Sequence, residues 1–177
     1  IDLYPFLPVQ VELEINGFDH TEVTKIFNHE YLVKSRMNKI VFSNNVTEPS
    51  LCEDFYEISE YFLVDGNVSV DVVSDLDTFD EFWWGSVGIL YKNMGNITAT
   101  IDSIDSEKFP RQLANAKAII KSGARVFWQY TRSTQSDDDI EVARELSRKH
   151  NFSGFTFIEE KIQDDYVEPE KIKVVEL

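Results

Sequence analysis

Residues 96–130, NITATIDSIDSEKFPRQLANAKAIIKSGARVFWQY, read as strand, helix and strand, and their reading decides the fold class. Ile97, Ala99 and Ile101 alternate with Thr98, Thr100 and Asp102, the period-two pattern of a strand with one covered and one wet face. Ser106 stands where a helix N-cap is expected. Phe109, Leu113, Ala116 and Ile120 then recur at helical spacing, Pro110 falls in the first turn where it is tolerated, and Gly123 ends the run. Val126–Tyr130 is the next strand.

Toward the C-terminus, Asp137-Asp138-Asp139 precede a second helix over 139–150 that ends with Lys149 and His150, so acids and cations complement the helix dipole. Strands at 154–159 and 172–177 close the chain. This succession predicts an α/β protein of the α+β type: a mixed or largely antiparallel sheet with helices packed on one face.

Toward the N-terminus, beyond Pro5 and Pro8, Val9, Val11, Leu13 and Ile15 alternate with Gln10, Glu12, Glu14 and Asn16, a strand with an acidic wet face. Gly17 breaks it. Asp19 and Glu22 have the spacing of a capping box for a short helix whose apolar stripe is Val23, Ile26, Phe27 and Tyr31. A strand near 39–42 is closed by Asn44-Asn45. Within 50–64, Phe55, Ile58, Tyr61 and Phe62 fit a helical stripe, while 61–64 reads equally as a strand. We expect helix, then strand, then a hairpin turn at Asp65-Gly66 leading into a strand that carries Val68, Val70 and Val72. Residues 74–81 are expected to turn into a short acidic helix ending at Trp83-Trp84-Gly85. Val87–Tyr91 then reads as a strand, joined to the strand at 97–104 by a hairpin over 92–96. Neither a repeat nor a low-complexity linker interrupts the pattern, which predicts one domain over 1–177 with its weakest junction near 43–53.

Composition bounds the function. Of 177 residues 42 % are hydrophobic and 13 % aromatic, ample for a packed core. Acids outnumber bases 32 to 17, a formal net charge of −15. Such a surface repels nucleic acid and anionic membranes, and it attracts basic proteins in a salt-dependent way. Apolar clusters such as Tyr61-Phe62-Leu63-Val64 are too short to span a bilayer. A single cysteine, Cys52, excludes an intrachain disulfide and suits a reducing cytoplasm. Its neighbours Glu53 and Asp54 disfavour a thiolate, so a structural thiol is expected. Glycosylation triplets at Asn45, Asn67, Asn96 and Asn151 carry the competing expectation of a secreted chain.

Motifs for catalysis are absent. His20 and His29 are nine residues apart, and His29-Glu30 is not followed by a histidine at 33, which is Val33, so no His-Glu-x-x-His pair exists. Asp75, Asp77, Asp80 and Glu81 lack the glycine and the final glutamate of a calcium loop. No serine sits in a nucleophile elbow, and the seven glycines form no phosphate loop. We therefore expect no cofactor and no metal. Phe79, Phe82, Trp83 and Trp84 crowd one helical turn among acids, and they cannot all point inward. Aromatic anchors rimmed by charge have the composition of a protein-binding hot spot, with a core aromatic cluster as the competing reading. Asp75, Asp77, Asp80, Glu81, Trp83 and Trp84, with the acidic run Asp137, Asp138 and Asp139, form the candidate partner-binding set.

These features favour a binding role over catalysis. The expected function is a cytoplasmic inhibitor that neutralises a basic partner, such as an immunity protein (an antitoxin) against a nuclease toxin or a viral DNA mimic, its carboxylates pairing with the partner's Lys and Arg. Two alternatives stand beside it: a metal-assisted hydrolase or transferase using Asp75, Asp77 and Asp80, and a structural or regulatory subunit.

Overall fold

Six strands follow one another in space in the order in which they occur in the chain. In a computed structural model, which describes residues 9–15, 17–28, 30, 37–132, 137–159 and 172–176, they are β1 (Val9–Leu13), β2 (Met37–Phe42), β3 (Ser69–Ser74), β4 (Gly95–Thr100), β5 (Arg125–Arg132) and β6 (Gly154–Glu159). Every neighbouring pair among them is parallel. A seventh strand, β7 (Ile172–Glu176), lies antiparallel on the outer edge of β1. Parallel neighbours must be reached by crossovers, and each crossover here carries a helix: α1 (His20–Ile26), α2 (Phe55–Glu60), α3 (Glu81–Tyr91), α4 (Phe109–Lys121) and α5 (Asp137–Lys149).

The expectation of a mixed or largely antiparallel sheet is thus corrected. It was drawn from the succession of strands and helices, which does not fix strand direction; apolar–polar alternation normally marks an antiparallel sheet wet on one side, whereas parallel sheets are usually covered on both. Among the described residues, helices cover this parallel sheet on one side only. The register makes this explicit. Leu13, Phe42, Val72, Ile97 and Val126 are successive partners across five strands, as are Ser74, Ala99, Trp128 and Phe155 across four. Nearly all of these are buried. Helices pack on that face: Phe42 meets Phe55 and Phe62 of the α2 segment, and Trp128 stacks on Phe109 of α4. The alternate rows, such as Glu12, Val41, Asp71, Asn96 and Arg125, point to the other side and remain partly or wholly exposed.

Both expected hairpins are replaced by helix-to-strand connections. Over 61–65 the chain does not turn into a strand; α2 continues as a wider π-helical turn, burying Tyr61, Phe62 and Leu63. Asn67, not Gly66, takes the left-handed conformation, with φ 50°. Residues 81–91 are one helix, capped by the Asp80 side chain, which accepts from the Trp83 N–H at 2.9 Å. Trp84, Val87, Gly88 and Tyr91 share its buried face, the i, i+3, i+4, i+7 spacing that outweighs the β-propensity of 87–91. Gly88 lets α3 approach α4 closely, since a Cβ there would lie 2.9 Å from the Ile119 carbonyl oxygen. By contrast, the Asp19–Glu22 capping box forms as its spacing predicts, each side chain accepting from the other's backbone N–H.

Candidate functional site

In open parallel α/β sheets, ligands bind where the strands end, because the loops there are free to vary while the sheet holds their roots. The face not covered by helices leads to that edge. Along it, moving from one strand to the next, stand Glu12, Val41, Asp71 and Asn96; then Val73, Thr98 and Phe127; then Thr100, Gln129 and Thr156. These side chains are half-buried, apart from the exposed Thr156. Deep on this face Lys39 bridges to Asp71 at 2.6 Å, and the Asn96 amide donates to the same carboxylate at 2.9 Å. The Asn96 carbonyl oxygen is buried with no hydrogen-bond partner.

At the mouth, the segment after β2 is laced to its neighbours. Glu14 accepts from the Asn45 backbone N–H at 3.1 Å and from the Thr47 hydroxyl at 3.4 Å, and Glu12 accepts from the Asn45 amide at 3.2 Å. The Asn44 amide reaches past β3 to the Thr100 hydroxyl, 3.2 Å away. Glu48 turns inward, accepting from the Asp75 N–H and from the Ser50 hydroxyl, each at 3.1 Å. Burial raises its carboxyl above the usual range, and the nearby Asp75 charge adds to this, while hydrogen bonds from Ser74, Asp75 and Ser50 oppose it.

That shift has a testable sign. A carboxyl whose pKa is higher folded than unfolded stabilises the fold fully below its unfolded pKa, and the contribution is lost as pH rises through the folded pKa. Glu48→Gln keeps an acceptor but removes the titration. The melting temperature of the native chain relative to Glu48→Gln is therefore expected to fall as pH rises from the ordinary Glu value of about 4.3 upward. A difference that is flat with pH would show that Glu48 is not desolvated.

The loop after β3 is the most tightly held part of the mouth. Leu76 and Phe79 both adopt left-handed φ, 58° each, which costs non-glycine residues energy and persists only where the surroundings enforce it. Buried polar side chains of α4 do so: Gln112 donates to the Asp75 carbonyl and Asn115 to that of Leu76, each at 2.9 Å. The Trp84 indole donates to Thr78 O at 2.7 Å. Gln112 and Asn115 therefore join Ala116 and Ile119 on the buried face of α4, a face rotated from the apolar stripe read in the sequence.

The sequence-predicted residues all fall at this end of the sheet, in two groups. Asp75, Asp77 and Asp80 lie on the β3–α3 connection and Glu81 opens α3, with Asp77 paired to Lys108 at 3.6 Å. Asp137, Asp138 and Asp139 form the first turn of α5, after β5. Trp84 is wholly buried and Trp83 half-buried, stacked on Phe79 at 4.4 Å; the exposed rings are Phe79 and Phe82, at 50 % and 85 %. Sequence reasoning missed Glu14, Asn44, Glu48 and Thr100. The only local signal for them was their position at or beyond the ends of strands.

Among the described residues no group of His, Cys, Asp and Glu could hold a metal ion, and no helix is long and apolar enough to cross a membrane. His29 and Tyr31 lie outside the described residues. Of the glycosylation triplets, Asn45, Asn67 and Asn151 are exposed, the Asn45 amide donating to Glu12, and the half-buried Asn96 amide is engaged with Asp71 on the sheet.

No family model matches the sequence, and no curated protein matches it either. Solved structures do. The crystal structure of Streptococcus suis SuiB superimposes on 94 % of this chain and 43 % of its own, with 11 % identity and a TM-score of 0.69. SuiB bound to its precursor peptide SuiA covers 91 % of this chain and 43 % of its own, with 10 % identity and a TM-score of 0.68. Native anSMEcpe with bound AdoMet and Cp18Cys peptide covers 81 % and 44 %, with 13 % identity and a TM-score of 0.62. The chain thus spans less than half the length of these proteins, and it resembles them in fold, a parallel six-stranded sheet with helical crossovers. This overturns the inhibitor expectation. Acidity and size pointed to an immunity protein, antitoxin or DNA mimic facing a basic toxin or nuclease. The proteins that share the fold are instead ones solved with AdoMet and with peptides. Net charge speaks to solubility and encounter, not to fold.

Proposed function

We propose that this chain is the ligand-binding α/β core of a radical SAM-type protein that handles a peptide, with S-adenosylmethionine seated at the strand-end mouth. The observation that carries this reading is the largely polar face of the parallel sheet, free of helices among the described residues, which runs into a mouth edged by Glu14, Glu48, Asp75 and Thr100. S-adenosylmethionine presents a sulfonium and an ammonium, and carboxylates at the mouth are suited to both. The peptide would then meet the neighbouring loops, with Asp75, Asp77, Asp80, Glu81, Trp83 and the exposed Phe79 on one side and Asp137, Asp138 and Asp139 on the other. Trp84 belongs to the core and takes no part in contact.

Calorimetric titration tests this. S-adenosylmethionine should bind, and S-adenosylhomocysteine, whose sulfur is neutral, should bind about tenfold more weakly, a difference of about 1.4 kcal/mol. Thr98→Trp, which fills the open face, should abolish binding while the thermal melt stays cooperative. Phe82→Ser, on the helical side, should leave binding intact. Heat from neither ligand, or binding indifferent to Thr98→Trp, would overturn the proposal.

A further inference from the structure

We infer that this chain has the sheet of a radical SAM fold without the means to hold an iron–sulfur cluster, so that by itself it binds S-adenosylmethionine intact instead of cleaving it. The inference rests on the ligand site proposed above and concerns what that site can do. Radical chemistry with S-adenosylmethionine draws on an iron–sulfur centre. Such centres are held by a set of cysteine thiolates, and even those that replace some thiolates by histidine keep more than one.

The donor set here does not fit. Cys52 is the single cysteine of the 177 residues, so no folding of this chain can bring a second thiol beside it. Nor is Cys52 placed for the task. It is 6 % exposed, lying between a short 3-10 turn at Pro49–Leu51 and α2, and its thiol donates to the Phe18 carbonyl at 3.4 Å. Burial above all pushes the thiol pKa up, away from the thiolate a metal needs; a backbone hydrogen bond at Asp54 opposes this, and the charges of Asp54, Glu53 and Glu57 add to it. A cluster shared between two copies would need this sulfur at the surface, where it is not. On the mouth itself the connections after β1, β2, β3 and β4 present carboxylates, amides and hydroxyls, oxygen and nitrogen donors that do not substitute for thiolate sulfur.

The experiment has two arms on the full chain. In the first, the protein is incubated anaerobically with ferrous iron and sulfide, desalted, and checked by circular dichroism for retained structure. Iron per chain and visible absorption are then measured beside Cys52→Ser. Both proteins should carry the same background iron and lack the cluster band. A stoichiometric cluster in the native chain that disappears in Cys52→Ser would overturn the inference. In the second arm, S-adenosylmethionine is titrated into the untreated chain and recovered. Tight binding with intact recovery supports both readings. Absence of binding together with absence of a cluster would remove the proposed ligand while leaving the donor-set argument standing. Binding that appears only after a cluster has been loaded would overturn the inference and keep the ligand.

Discussion

Replacing Trp84 by alanine is expected to destabilise the chain by about 3–5 kcal/mol, the range for truncating a large buried aromatic. The side chain is wholly buried, in edge contact with Trp83 at 4.8 Å between ring centres. Its indole N–H also satisfies Thr78 O, within the loop where Leu76 and Phe79 are held in left-handed conformations. Truncation therefore opens a cavity and releases a strained loop together. Two comparisons separate these effects. Trp84→Phe keeps most of the volume but loses the donor, leaving the half-buried Thr78 carbonyl with only the longer Asn115 amide contact at 3.4 Å, and should cost about 1 kcal/mol. Trp83→Ala, at a half-buried ring, should cost less than Trp84→Ala. Urea unfolding midpoints read all three. A Trp84→Ala loss within about 0.5 kcal/mol, the range of ordinary surface changes, would show that the loop and core around it are wrongly assigned.

The second large effect is expected at Gly95, the first residue of β4. A Cβ added there would lie 2.3 Å from Tyr91 Cδ1 and 2.9 Å from Tyr91 Cβ, so the tyrosine would have to move. It has nowhere to go. The ring is wholly buried, lies parallel to Phe55 at 6.3 Å, and its hydroxyl bonds the Ser59 hydroxyl at 2.7 Å. Gly95→Ala is expected to cost about 1–3 kcal/mol as an overpacking change, and Gly95→Val more. The cause can be isolated in a double-mutant cycle with Tyr91→Leu, which frees the space. In that background Gly95→Ala should cost little, giving a coupling of about 0.5–3 kcal/mol between contacting sites. Equal costs in both backgrounds would mean that the glycine is needed for its backbone and not for the ring.

Gly95 also shows why one part of the fold was misread. A glycine inside Lys92-Asn93-Met94-Gly95-Asn96 between two apolar runs has the form of a hairpin loop, and local rules assign it so. Its actual use, room for an aromatic ring from the preceding helix, involves a side chain four positions away whose direction depends on the whole α3–β4 packing. Trp83 and Trp84 teach the same lesson. Adjacent on a helix, they differ in burial because only one faces the core, and composition alone could not tell which.

Much of the local structure was legible. The capping box at Asp19 and Glu22, the strand from Val9, the helix opened by Asp137-Asp138-Asp139 and the alternation along β3 and β4 depend on interactions within a few residues, and they appear where those interactions predict them. The count of one cysteine, with its consequence for cluster chemistry, likewise follows from the chain without any coordinates. Tertiary structure decided the rest. Alternation along a strand reports that one face is covered and the other wet, but it is silent on whether the neighbouring strand runs the same way, because the hydrogen-bonding partner lies tens of residues distant. For the same reason the mouth was invisible. Glu14, Asn44, Glu48, Asp75 and Thr100 converge only because five crossovers return the chain, each time in the same direction, to the end of one sheet.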